Sequence, residues 1–144
     1  MRKYNRYDDY MDSGIEWIGE IPKNWEINKS KFISEVLLSN INKKTNEYEP
    51  KVFLCNYTDV YYNNFIDLNI DFMKASTSFD KKKKLSLEVG DVIITKDSES
   101  PDDIGIPSYV NKTKDNLVCG YHLAMLKPYE NIILGKFLFR LLES

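Results

Sequence analysis

Long apolar runs are missing from this 144-residue chain. None approaches the ~20 residues that a membrane span requires. The opening MRKYNRYDDYMD lacks the apolar core of a secretory signal. The expectation is a soluble, cytoplasmic protein with no membrane contact. Cysteine is scarce: Cys55 and Cys119 each sit in an apolar, strand-like run. They are expected to be buried free thiols of a reducing compartment. Histidine is scarcer still, with His122 the one example. To act as a base it would need a neighbouring nucleophile. Cys119 precedes it by three residues along an apparent strand and would face the opposite side. An excess of positive charge is also missing: 20 Lys and Arg stand against 22 Asp and Glu, a net charge of −2. That argues against a stand-alone DNA binder, whose footprint is usually strongly basic. It leaves open a module that shares its phosphate contacts with a partner.

What is present is ordinary in quantity and unusual in kind. Hydrophobic residues make up 42% and charged residues 29%, as in a single globular domain, but aromatics reach 13%, with ten Tyr. Tyrosine combines a flat apolar face with a polar tip, which suits interfaces and base stacking as well as cores. Residues 13–25, SGIEWIGEIPKNW, mix large apolar groups with helix-breaking Gly and Pro. They are expected to form an extended segment pinned to the domain by buried Trp17 and Trp25. Residues 32–38 fit strand or helix, and residues 40–49 a polar loop. Residues 51–62, KVFLCNYTDVYY, fit strand, bend and strand. Thr77 or Ser78 can cap a short helix ending at Lys84, with Asp80 in its first turn and lysines in its last. A turn at residues 88–91 feeds a strand at 92–96, and further strands follow at 117–119 and 121–127. Leu134, Phe137, Leu138, Leu141 and Leu142 share one helical face, with Asn131 as the cap. The fold class expected is α+β: a central twisted β-sheet built from the segments near 51–56, 92–96, 117–119 and 121–127, with few short helices. The expected organisation is a flexible arm at 1–12, a domain at 13–130 and the start of a long helix from 131.

The acidic stretch GDVIITKDSESPDDIG, residues 90–105, raises the question of chemistry. A magnesium nuclease of the PD…(D/E)xK kind needs a Pro-Asp and, later, an acid two residues before a lysine. Pro101 and Asp102 supply the first half, and the second is absent after Asp102. A calcium loop starting at Asp97 fails at its fifth, sixth and twelfth positions, which hold Pro101, Asp102 and Ser108. No catalytic or metal residue is therefore assigned. Two alternatives stay open: a Mg-dependent nuclease using Asp97, Glu99 and Asp102, and an assembly scaffold that never touches DNA. The stretch NYTDVYYNN, residues 56–64, offers groups that suit base recognition. Asn can bond adenine in bidentate fashion, a carboxylate can accept from cytosine N4, and Tyr can stack.

The ordered set of motifs DSGIEWIGEIPKNW, SNINKK, VFLCNYTDVYYNN, FMKAST, LEVGDVIITKDSESPDDIGIP and CGYHLAMLKP resembles the specificity (S) subunits of type I restriction-modification systems. It covers nearly the whole chain, from about residue 12 onward. The resemblance implies a target recognition domain followed by the start of a conserved spacer helix. Such a domain reads one half of a split double-stranded DNA target. It is not itself an enzyme; it positions modification (M) and restriction (R) subunits. It implies no cofactor in this chain, S-adenosylmethionine, ATP and Mg²⁺ belonging to the partner subunits. A family member carries two such domains, so one domain implies a fragment or a half-subunit. The phosphate candidates are Lys43, Lys44 and Lys96. The candidates for base or shape readout are Asn56, Asp59, Tyr61, Tyr62, Ser98, Glu99 and Tyr121. Phe137, Leu138, Leu141 and Leu142 are the candidates for partner binding or self-association.

Overall fold

The computed structural model describes residues 5–144, so residues 1–4 of the expected arm lie outside it. The chain divides into a small unit ending at Ser30 and a larger one, Lys31–Ser144.

The small unit is a hairpin. β1 (Tyr10–Asp12) pairs antiparallel with β2 (Glu20–Pro22). The connecting loop closes through the Ser13 N–H on the Gly19 carbonyl at 2.9 Å and the Gly19 N–H on the Ile15 carbonyl at 3.0 Å. Trp17 stands at the tip of this loop and is 84% exposed, contrary to the burial expected of it. A two-stranded hairpin has no second layer to cover a side chain at its turn. Trp25 is half-buried, with its ring edge-on to Tyr7 at 5.9 Å.

α1 (Ser30–Ile33) crosses the boundary and runs directly into β3 (Ser34–Leu38), so the ambiguous run at 32–38 is a helical turn and then a strand. In the larger unit follow β4 (Lys51–Cys55), α2 (Tyr57–Tyr61), β5 (Phe65–Ile66), β6 (Met73–Ser76), α3 (Phe79–Lys84), β7 (Val92–Thr95), β8 (Pro107–Val110), β9 (Leu117–Cys119), β10 (Leu123–Pro128) and α4 (Gly135–Glu143). The fold is α+β. The strands expected to share one central sheet are divided between two. β10 and β7 lie in a five-stranded sheet of order β3-β10-β7-β8-β5, and β4 and β9 in a three-stranded sheet of order β6-β4-β9. Residues 57–61 form a helix rather than the second strand expected of the run 51–62. Ser78 caps α3 by accepting the Lys81 N–H at 3.4 Å.

The main core sits between the two sheets. Val52, Leu54 and Leu117 from one meet Leu37, Ile93, Leu123 and Met125 from the other, and Val60 of α2 joins them. Successive strand residues face opposite ways. Val92 and Leu126 therefore point to the far face of the large sheet, where Leu138 and Phe139 of α4 cover them. Both faces of β7 are thus buried, which is why its sequence is almost continuously apolar. Helix α4 begins at Gly135 with Leu134 in the cap position, not at Asn131. A Cβ at Gly135 would collide with the Gly90 carbonyl, so glycine lets the helix start against the turn that feeds β7. Cys55 and Cys119 are directly opposed on the parallel pair β4–β9, buried and unbridged. Burial pushes the Cys119 thiol up to about 12 and raises Cys55 as well.

Candidate functional site

Strand directions bring four loops to one end of the larger unit. β3, β4, β7 and β9 all finish there, and β10 starts there: Leu38 pairs with Ala124, Thr95 with Leu123, and Cys55 with Cys119. Main-chain bonds knit the loops together. The Gly120 N–H donates to the Cys55 carbonyl at 2.9 Å, Tyr121 N–H to Ile41 at 2.8 Å, and Lys96 N–H to His122 at 3.0 Å. Ser39 hydroxyl donates to the Cys119 carbonyl at 2.6 Å. Gly120 is essential to this junction, since a Cβ there would lie 2.5 Å from the Cys55 carbonyl oxygen.

The acidic loop is held to the same end by Thr95. Its buried hydroxyl donates to the Asp103 carbonyl at 2.6 Å and accepts the Ile106 N–H at 3.0 Å. The Asp103 carboxylate in turn accepts the Tyr61 hydroxyl at 2.9 Å, which raises the Tyr61 pKa. Tyr61 stacks on Tyr57, with ring centroids 5.7 Å apart, and meets Tyr62 edge-on at 5.0 Å. Tyr62 projects outward, 77% exposed.

The predicted site residues separate into three groups. Tyr61, Lys96 and Tyr121 are brought to this end by the bonds above, Asn56 follows Cys55 at the end of β4 and Asp59 lies in the first turn of α2, and the charge of Lys43 favours the ionised form of Asp59. Asn56 and Asp59 also serve the fold, because the Asp59 carboxylate accepts the Asn56 N–H at 2.8 Å at the start of α2. Burial pushes the Asp59 carboxyl up, and the Asn56 bond and Lys43 oppose that shift. Ser98, Glu99 and Tyr62 are exposed on the tethered segments. Lys44 is set apart: its carbonyl accepts the Ser76 N–H at 3.3 Å, beside the Lys51 end of β4. On α4, Leu138 is spent on the domain's own sheet, while Phe137, Leu141 and Leu142 keep 38%, 51% and 36% of their surface in solvent.

His122 does not lie in a strand, as its alternation suggested, but in the turn between β9 and β10 with φ of +67°. Its Nδ1 is 3.2 Å from Asp97 Oδ2, and Lys96 Nζ approaches the same oxygen to 3.5 Å. Sequence reasoning passed over His122, Asp103 and Thr95 as site-builders. Gly120 ahead of Tyr121 and His122 was the available turn signal; Thr95 and Asp103 carried none. Among the described residues, no three of His, Cys, Asp and Glu are grouped to hold a metal ion. Cys119 is buried while His122 is exposed, so they form no nucleophile–base pair. This end of the larger unit offers hydrogen-bonding groups, aromatic faces and the Lys96 cation on a tied set of loops.

No family model matches the chain. It is 29% identical over 130 residues to a Methanocaldococcus jannaschii protein named "Putative type I restriction enzyme MjaX specificity subunit". The match takes in 88% of this chain and 29% of that protein, so the chain spans less than a third of its relative's length. This distant similarity points the same way as the motif resemblance. No described helix is long and apolar enough to cross a membrane.

Proposed function

We propose that this chain is a DNA-recognition module of a type I restriction-modification specificity subunit. It reads one half of a split target and positions modification and restriction subunits without catalysing a reaction. The observation that carries the reading is the convergence of four hydrogen-bonded loops at one end of the larger unit. They bring Asn56, Tyr61, Lys96 and Tyr121 together through backbone bonds and the Tyr61–Asp103 side-chain bond. Rigidly placed polar side chains are what base discrimination requires. The name of the distant relative supports the same function. The net charge of −2 suits a module whose partners share the phosphate contacts. Exposed Phe137, Leu141 and Leu142 on α4 are the surface we assign to a partner helix. S-adenosylmethionine, ATP and Mg²⁺ belong, on this reading, to the partner subunits.

The test is a footprint of the assembled methyltransferase on its target, found from the split adenine-methylated motif of the host genome. Protection of one half-site that moves when this domain is exchanged is the expected result. A complex that methylates normally but leaves no protection attributable to this domain would show a scaffold instead. Cleavage of plasmid by the purified chain with Mg²⁺, abolished by Asp102→Ala, would show a nuclease.

A further inference from the structure

His122 occupies a backbone conformation that L-residues rarely adopt unless the surroundings hold them there. Three ties hold it. Its carbonyl accepts the Lys96 N–H at 3.0 Å, its ring centroid lies 3.9 Å from that of Tyr121, and its Nδ1 lies 3.2 Å from Asp97 Oδ2. Asp97 is itself engaged by Lys96 Nζ, which also lies 5.6 Å above the Tyr121 ring. The side chain is nevertheless 48% exposed, at the turn where the converging loops meet. A residue this firmly oriented and this open to solvent does little for the core.

The partner atom decides what the open side of the ring can do. A carboxylate has only acceptor oxygens, so the hydrogen in the contact belongs to Nδ1. In the neutral imidazole Nε2 is then a bare acceptor. A bare acceptor cannot bond a phosphate oxygen, which also only accepts. In the major groove the hydrogen-bond donors are the exocyclic amines, N6 of adenine and N4 of cytosine. We propose that His122 reads one base of the target by accepting a hydrogen bond at Nε2 from such an amino group. Asp97 is the positioning residue that fixes the tautomer, and Lys96 holds Asp97 in place. This inference rests on the DNA-reading function proposed above and names one of its readers.

The experiment measures binding of the assembled methyltransferase to its target and to a scrambled duplex. In a target series, each adenine in turn is replaced by purine and each cytosine by 2-pyrimidinone, so that one exocyclic amine is lost at a time. The unaltered complex should lose about tenfold at the position His122 reads. His122→Gly keeps the positive φ without strain. It should bind the full target about tenfold more weakly, lose nothing further at that one position, and bind the scrambled duplex as before. Asp97→Ala, which leaves the turn residues untouched, should weaken the response at the same position. If the unaltered complex prefers its target and His122→Gly retains the whole pattern of losses, the inference about His122 is overturned and DNA reading stands. If the unaltered complex shows no preference, DNA reading itself is overturned and the role of His122 with it.

Discussion

Strand β7 carries an acid–lysine pairing at each end, and the two pairings differ in almost everything but residue type. At the entrance Asp91 is 4% exposed. It accepts the Glu88 N–H at 2.8 Å and Lys127 Nζ at 2.9 Å. The neighbouring Gly90 carbonyl presses on the first turn of α4 at Gly135. At the exit the Asp97 side chain is 50% exposed and shared by Lys96 and His122. A buried carboxylate must be compensated by its partners. An exposed ion pair adds about 0–1 kcal/mol to stability, and its members remain free to meet a ligand. Burial, not residue type, separates the clamp from the candidate site.

The strongest way to test this contrast is to disturb the backbone at each end. Gly135→Ala forces a methyl group into the Gly90 carbonyl and must displace α4 from the sheet. A loss of about 3 kcal/mol is expected in urea unfolding. Gly105→Ala at the exit meets no atom within 4 Å but keeps a φ of +83°. It should cost only about 1–2 kcal/mol. Equal losses would remove the distinction between a packed entrance and an open exit.

The second test addresses Asp91. Asp91→Ala leaves Lys127 without its nearest carboxylate and the Glu88 N–H without its acceptor, and should cost about 2 kcal/mol. Its pH dependence has a definite sign. Burial raises the folded pKa of Asp91 more than the Lys127 and Glu88 bonds lower it. The folded state therefore holds this proton more tightly than the unfolded chain does. The corresponding stability is full below the ordinary Asp value of about 3.9 and is lost as pH rises through the raised folded pKa. The difference between wild-type and Asp91→Asn stability should fall across that window and then level off. A difference that grows with pH would mean that the Lys127 pairing outweighs desolvation.

The same contrast explains what could be seen in the sequence. Periodicity located β4, β7, β9 and β10 because their alternation and apolar runs are local, and Ser78 announced α3 through ordinary capping chemistry. Their division between two sheets depends on pairings such as Phe53 with Leu117, which no local pattern encodes. Residues 57–61 looked like strand because Tyr and Val favour strands. Asn56 and Asp59, three apart, were the overlooked helix-start signal. On α4 the i, i+3, i+4 count included exposed Leu134 and Leu141 and missed buried Phe139. The helix is oriented by the close approach of Gly135 to Gly90, a tertiary fact. The candidate loops follow strand ends, which are local, but the bonds that join them run between residues as distant as Ser39 and Cys119.

Thr95 is where exit-end order and stability meet, and a smaller effect is expected there. Thr95→Val preserves shape and removes the hydroxyl that binds both the Asp103 carbonyl and the Ile106 N–H. Losing these bonds in a buried position should cost about 1–2 kcal/mol. Hydrogen exchange should accelerate across residues 96–106 while the Asp91 turn keeps its protection. If protection fell equally at both ends, the loop would have no independent anchor.

The smallest effect on stability, and the most informative about function, is expected at Tyr62 and Glu99. Both are exposed. Tyr62→Ala gives up one edge-on contact with Tyr61 and almost no buried area. Each substitution should change unfolding free energy by no more than about 0.5 kcal/mol. If these residues read bases, each should nevertheless cost about 1–3 kcal/mol on the true target and relax one base position. Lys43→Ala provides the contrast. A phosphate contact carries no sequence information, so its loss should weaken target and scrambled duplexes alike and lower the salt slope by about one. The measurement is binding of the assembled methyltransferase to both duplexes at several salt concentrations. A target-to-scrambled ratio unchanged by both Tyr62→Ala and Glu99→Ala would remove these two residues from the reading surface. It would leave the turn at His122 and the start of α2 as the places where discrimination must arise.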